Sequence, residues 1–397
     1  MLEPTSETAA GWRAALARES RWLRASPWDM AMLTLIPWAV CALVVWIFSV
    51  GVPRDLPIVV IDQDQSALSR QMDRFLEASP GISVVAHVAS WEEALSLLRQ
   101  RQAFGVVIFP AQLQTQVLGG RAATVQWFYN GQFQSHVGGL SRDVRAVVST
   151  LSAGIELSAR EKRGAAPVLA KAQFEPIRMK LVTLFNESAS YEFFLTLALL
   201  PAVMQIFITL AAVTAIGREL KTGSVPEWLA TAGGRWHVAL ATKLAWPALA
   251  FGVMALAFVL VMAGVRGWAI ADAPFMVLAG LGLLVAAQLA LGVFLIGVTL
   301  ALRNGLSAAG FITAPAFAFA GQGFPLQSMP VLARAWAEVL PLTHYLQLQS
   351  RHWVAGAPAR YGVPDLLTLA AMTLGFGLLG AWLLRRRALA PSAWGRS

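Results

Sequence analysis

The chemistry open to this chain is narrow. ATP hydrolysis needs a glycine-rich loop whose backbone N–H groups cradle phosphate ahead of a lysine, written G-x-x-x-x-G-K-[ST]. The sequence has no such run and no Gly-Lys dipeptide. Its five histidines, His87, His136, His237, His344 and His352, form no H-E-x-x-H motif, and the pair at 344 and 352 is eight residues apart, so they read as scattered polar positions, with no zinc site. Asp62 and Asp64 lie in IDQDQS after a strand-like run. Without further acidic ligands nearby, they predict a turn and a helix N-cap at Ser66 rather than a cation site. Cys41 is the only cysteine, which excludes an intrachain disulfide or a cysteine-built metal cage. It reads as a small apolar core residue. The chain is therefore expected to be no enzyme and to bind no cofactor or metal directly.

The elements around these residues are apolar and long. Charged residues make up 13% of the chain and hydrophobic ones 57%, whereas about a quarter of an ordinary soluble domain is charged. Six runs lack Asp, Glu, Lys and Arg: Met30 to Pro53, Phe193 to Gly217, Leu244 to Val265, Ala273 to Leu302, Asn304 to Ala333 and Leu366 to Leu384. A helix rising about 1.5 Å per residue needs roughly 20 residues to cross a bilayer, so each run predicts a span. The first follows Arg13, Arg18, Arg21 and Arg24 as a signal peptide would. Its apolar core exceeds the ~7–15 residues of a signal sequence and no small-residue cleavage pattern follows, so it is expected to be a retained anchor. Ionisable residues in spans usually serve ion or proton coupling. Their absence disfavours an ion-driven transporter and an intramembrane hydrolase.

The net charge of +9 invites comparison with nucleic-acid binding, but its distribution follows the membrane instead. Thirteen Lys and Arg flank the spans on one side and four on the other, namely Arg266, Arg334, Arg351 and Arg360. This positive-inside bias places both termini in the cytoplasm and no nucleic acid among the partners. The fold class is then an α-helical polytopic membrane protein of six transmembrane helices with an extracytoplasmic α/β domain and helical stalk. Its expected divisions are a cytoplasmic amphipathic segment, 1–28, a first span, 29–53, the extracytoplasmic part, 54–190, a five-helix region, 191–384, and a basic cytoplasmic tail, 385–397.

Within 54–190, strands are predicted at Leu56 to Ile61, Ile82 to Val88, Phe104 to Phe109 and Thr124 to Tyr129, alternating with helices at Ser66 to Ala78 and Glu92 to Arg101. That alternation indicates a small α/β unit. From Ser135 to about Phe185 the spacing becomes helical, with interruptions near Gly164 and Pro167, as a stalk would require. Ahead of the first span, Gly11 to Ala25 sets Trp12, Leu16, Trp22 and Leu23 opposite Arg13, Arg21 and Arg24, the pattern of an interfacial helix. Glu19 intrudes on its apolar face, which leaves a solvated basic tail as the lesser alternative.

Two loops carry unusual patterns. GRELKTGSVPEWLATAGGRWHVALATK, Gly217 to Lys243, predicts a short helix at Pro226 to Thr231, with Ser224 able to cap it and Pro226 and Glu227 suited to its first turn. FPLQSMPVLARAWAEVLPLTHYLQLQSRHW, Phe324 to Trp353, is divided by Pro325, Pro330 and Pro341 into short helices expected to dip into the outer interface.

These loops resemble those of ABC-2 type exporter permeases, in the branch with a large periplasmic domain between the first and second spans. The family's R-E-R-E-x-G-T-x-E-x-L-L loop is similar to Arg218 through Leu229, and its F-P-x-x-x-M-P and P-L-T-x-Y stretches are similar to Phe324 to Pro330 and Pro341 to Tyr345. IDQDQSALSR resembles the start of that branch's outer domain. The resemblance implies a dimer of permeases, a homodimer or heterodimer, in the bacterial inner membrane, coupled to separate cytoplasmic ABC ATPases that hold ATP and Mg. A periplasmic adaptor is a further candidate partner. It implies ATPase coupling through Arg218, Glu219, Gly223, Glu227, Trp228 and Leu229 in the loop at 218–235, and an outer gate at 324–360 that includes Phe324, Pro325, Met329, Pro330, Pro341 and Tyr345. Trp228 or Leu229 would be the apolar anchor on the ATPase, with a membrane-interface position as the alternative for Trp228. Leu220, Lys221 and Ala232 depart from the family pattern, implying a contact tuned to a particular ATPase. A membrane-anchored receptor or scaffold that binds ligand or protein through the outer domain is the alternative function. It leaves six spans without a cytoplasmic output module.

Overall fold

The computed structural model describes residues 11–49, 54–119, 121–130, 134–162 and 190–395. They fall into two compact units, Met1–Gly51 with Leu184–Ser397, and Val52–Thr183.

The chain opens with α1 (Trp12–Ala25), α2 (Pro27–Leu33) and α3 (Leu35–Phe48). In α1 the buried stripe differs from the expected one: Ala15 and Glu19 are buried, whereas Trp12 and Trp22 stay exposed. The helix thus packs through the carboxylate that interrupts its apolar face. Pro27 starts α2 at the position where its missing N–H costs nothing, and the Ser26 side chain accepts the Asp29 N–H. The break at Thr34 follows from Pro37, which offers no N–H to the Leu33 carbonyl and crowds it.

The second unit holds β1 (Leu56–Asp62), α4 (Ala67–Glu77), β2 (Ile82–His87), α5 (Trp91–Arg99), β3 (Gly105–Phe109), α6 (Leu113–Leu118), β4 (Gln126–Tyr129) and α7 (Gln134–Lys162). The sheet order is β2-β1-β3-β4, with β1 parallel to both neighbours and β4 antiparallel to β3. Alternation along β1 sends Ile58 and Val60 to a core with Met72, Leu76 and Leu140, and Val59 and Ile61 to one with Ala94. Asp62 accepts the N–H groups of Asp64 and Gln65 and the Ser69 hydroxyl, and Ser66 caps α4. The acidic pair is thus a turn device. The interruptions expected near Gly164 and Pro167 lie outside the described residues.

The first unit resumes with α8 (Tyr191–Thr222), α9 (Val225–Thr231), α10 (Trp236–Val259), α11 (Pro274–Thr299), α12 (Leu302–Thr313), α13 (Ala316–Phe319), α14 (Val331–Val339), α15 (Pro341–Gln349) and α16 (Val363–Arg387). Among the described residues five helices have the length and apolarity to cross a membrane: Pro27–Phe48, Glu192–Thr222, Trp236–Val265, Pro274–Thr299 and Ala359–Arg387. The chain is a helical membrane protein.

The run Asn304 to Ala333, expected as one span, is instead α12 of 12 residues followed by α13 of four. Pro315 breaks it by removing the N–H that the Phe311 carbonyl would use. The freed Thr313 carbonyl accepts the Gln205 amide at 3.2 Å, Gln288 donates to Gln205 at 2.7 Å, and the Thr209 hydroxyl donates to Gln288 at 2.9 Å. Side chains of α8 and α11 thereby satisfy backbone that lipid could not. α11 and α16 approach so closely that a Cβ on Gly380 would stand 2.6 Å from the Phe294 nitrogen, the small-residue packing by which membrane helices associate.

Candidate functional site

The loop between α8 and α10 is built on charge. α8 ends at Gly223, whose φ of 71° is the left-handed conformation that terminates helices, and Ser224 N–H closes the end on the Glu219 carbonyl at 3.0 Å. α9 follows at once, one residue longer than expected at its start. Ser224 holds the N-cap position, but its hydroxyl does not cap the helix. It donates to Glu219 Oε2 at 2.6 Å and lies 2.7 Å from the Thr222 hydroxyl.

Glu219 is the centre of a buried ion cluster. Arg18 of α1 donates to both of its carboxylate oxygens at 2.8 Å, the bidentate geometry that makes such pairs strong. This bond holds the Arg18 guanidinium above its ordinary pKa. Lys243 of α10, with a fully buried side chain, bridges Glu219 and Glu19. Arg218 pairs with Glu19 and has Nη1 3.6 Å from Asp29 of α2. Trp22 donates to Asp29 at 3.1 Å and lies 4.8 Å from the Arg218 guanidinium. Three cations, Arg18, Arg218 and Lys243, face three acids, Glu19, Asp29 and Glu219, so the cluster is neutral. A neutral, mutually bonded cluster is what allows charges to remain buried, and this one ties α1, α2, α8 and α10 together.

Trp228 is 2% exposed. Its ring meets Trp236 edge-on at 5.8 Å and lies 5.2 Å from Lys243 Nζ. Trp228, expected as a docking anchor or at the membrane interface, packs inside the chain, where it fixes α9 to α10. Leu229 is partly buried against the same core. Pro226, Glu227 and Ala230 form the exposed face of α9. Of the six predicted coupling residues, Arg218, Glu219 and Trp228 are buried, Gly223 and Leu229 are partly buried, and Glu227 is presented to solvent.

Arg18, Glu19, Asp29 and Lys243 escaped the sequence reading. The signal was Glu19 itself, a carboxylate on an apolar helix face, whose partners lie about 200 residues away.

The six predicted gate residues do not form one group. Phe324, Pro325 and Pro330 are exposed and Met329 is partly exposed, while Pro341 and Tyr345 are buried. Pro330 and Pro341 do start α14 and α15. Among the described residues no group of three or more His, Cys, Asp or Glu could hold a metal ion. The site has the makings of an electrostatic joint.

A family model described as ABC-2 family transporter protein matches residues 27–382. That segment starts at the first residue of α2, so α1 and its Glu19 lie ahead of it. No curated protein matches the chain.

Proposed function

Because the chain belongs to the ABC-2 transporter family, we propose that it is the permease subunit of an ATP-driven exporter, whose α9 face is the docking surface for a separate ABC ATPase. Two permeases enclose the substrate path, both termini are cytoplasmic, and α12 with α13 completes a sixth crossing. The α/β unit is extracytoplasmic and residues 324–360 form the outer gate. The observation that carries the coupling role is that α9 presents Pro226, Glu227 and Ala230 while Ser224 and Trp228 fix it to the ion cluster. An ATPase that displaces this rigid face moves α1, α2, α8 and α10 together, because the charges that join them cannot separate without being left unpaired in the interior. That is a two-state element biased by differential partner contacts. The family fit disfavours the receptor or scaffold alternative.

Glu227→Arg tests this directly. The side chain is exposed but lies in the first turn of α9 and acts on Arg18, so folding should change by no more than about 1 kcal/mol. Reversal of a charge at a docking face should weaken ATPase association at least tenfold, read by pull-down from detergent with elution volume as the folding control. Undiminished association would remove the α9 face from the contact.

A further inference from the structure

We infer that the outer edge of β4 is a seam between two copies of this chain, where β4 pairs antiparallel with the same strand of a second copy about a two-fold axis at Phe128 and joins the two sheets into one. The seam lies outside the coupling site. It rests on the pair of permeases proposed above for the supply of a second copy, and on the strand itself for its geometry.

Among the described residues β4 ends the strand order β2-β1-β3-β4. In its antiparallel pairing with β3, Phe128 stands opposite Val106 and Gln126 opposite Ile108, and the Asn130 N–H donates to the Phe104 carbonyl at 2.9 Å. Backbone groups alternate sides along a strand, so Gln126, Phe128 and Asn130 face β3. Trp127 and Tyr129 turn their N–H and C=O groups away from it. Free sheet edges are usually blunted by lysine, proline or an inward-pointing charge. The strand Gln126–Tyr129 has none of these, and three of its four residues are aromatic. Phe128 is 42% and Tyr129 53% exposed. The Phe128 ring lies 4.9 Å from that of Trp91, which is itself 38% exposed. On the other face Tyr129 neighbours Trp127 at 6.3 Å. An edge with unspent backbone groups and aromatic rings on both faces has what a further strand needs, because aromatic cross-strand pairs stabilise sheets.

Symmetry identifies the occupant. The two outward-facing residues flank Phe128 evenly, so a second β4 laid antiparallel with Phe128 at the centre sets Trp127 against the partner's Tyr129, and Tyr129 against the partner's Trp127. Each of these pairs exchanges both of its N–H···O=C bonds, and every outward group of the strand is then satisfied without a shift of register. The strand carries no charge, so none meets its like across the axis. A two-fold axis requires this kind of self-complementary contact, in which the same patch serves both copies. A strand of four residues would bind weakly between free proteins. Two chains held in one membrane assembly meet at a high effective concentration, where a short seam is enough.

The test uses the full-length chain in its native membrane, with Cys41→Ala removing the single native thiol. Residues opposed in a non-hydrogen-bonded antiparallel pair have Cα atoms about 4.5 Å apart, within the roughly 4.4–6.8 Å that a disulfide spans. Phe128→Cys should therefore give a disulfide-linked homodimer under mild oxidation. Its yield should exceed at least tenfold that of Val85→Cys, which is 49% exposed on β2 at the opposite edge of the sheet. Tyr129→Pro removes an outward N–H and leaves the bonds to β3 in place, as proline at a sheet edge can. Added to Phe128→Cys, it should lower the disulfide yield at least tenfold with an unchanged elution profile. Equal yields from Phe128→Cys and Val85→Cys, an undiminished yield with Tyr129→Pro, or capture of a different polypeptide by Phe128→Cys would overturn the seam. Native mass spectrometry distinguishes the two ways of failing. Paired chains without the Phe128→Cys disulfide would overturn the seam alone, and unpaired chains would overturn the two-permease reading with it.

Discussion

Lys243→Met is expected to destabilise the membrane unit by about 3–5 kcal/mol, the usual consequence of removing one member of a buried charge set. The lysine side chain is fully buried between Glu19 and Glu219. Methionine matches its length and apolar stem, so packing is largely preserved and the loss is electrostatic. Glu219 retains Arg18 and Ser224, and Glu19 retains Arg218, yet the set then carries one negative charge too many in a region water does not reach. The same reasoning makes a compensating change informative. Lys243→Met combined with Glu19→Gln restores neutrality and should recover about half of the loss, because an amide still bonds Arg218 and carries no charge to desolvate. The measurement is the thermal midpoint of the detergent-purified chain followed by size exclusion. A single variant as stable as the parent would mean that the ion pairs contribute little to the fold. A double variant less stable than the single one would mean that Glu19 acts through something other than charge balance.

The second large effect belongs to Trp228. Truncation of a buried tryptophan to alanine typically costs about 3–5 kcal/mol, and at 2% exposure this residue should fall in that range. The loss includes its contact with Trp236 and its face over Lys243. ATPase association should fall in Trp228→Ala as well, but only because α9 is no longer held in place. Trp228→Phe keeps an aromatic face over Lys243 and should recover most of the stability and most of the association together. Glu227→Arg should lose association while costing no more than about 1 kcal/mol of stability. If Trp228→Ala left stability unchanged and abolished association alone, the indole would be touching the partner, and its burial in the chain would not describe the docked loop.

How far the sequence reached depends on the range of the signal. Helix ends and strands that depend on neighbouring residues were legible: Ser66 before α4, Pro226 and Glu227 in the first turn of α9, and Pro330 and Pro341 opening α14 and α15. Apolar length located α8, α10, α11 and α16 because hydrophobicity alone decides a span. It missed the break within Asn304 to Ala333, where composition is uniformly apolar but a single Pro315 ends the helix, and the repair comes from Gln205, about 100 residues earlier. The coupling loop was legible as a loop with a helix, and its chemistry was not. Trp228 has the composition of a docking anchor and the position of a core residue, and only the fold distinguishes these. Glu19 looked like a flaw in an amphipathic helix because its partners, Arg218 and Lys243, are far away in the chain.

The proposed contact between the α9 face and an ABC ATPase can be tested at single-residue resolution. The most direct measurement places a photocrosslinking amino acid at position 227 of the full-length chain in its native membrane, with a second version carrying it at exposed Tyr361. Adducts are identified by mass spectrometry. The predicted result is an ABC ATPase polypeptide crosslinked from position 227 and absent from position 361. No ATPase adduct at 227, or equal adducts from both positions, would contradict it.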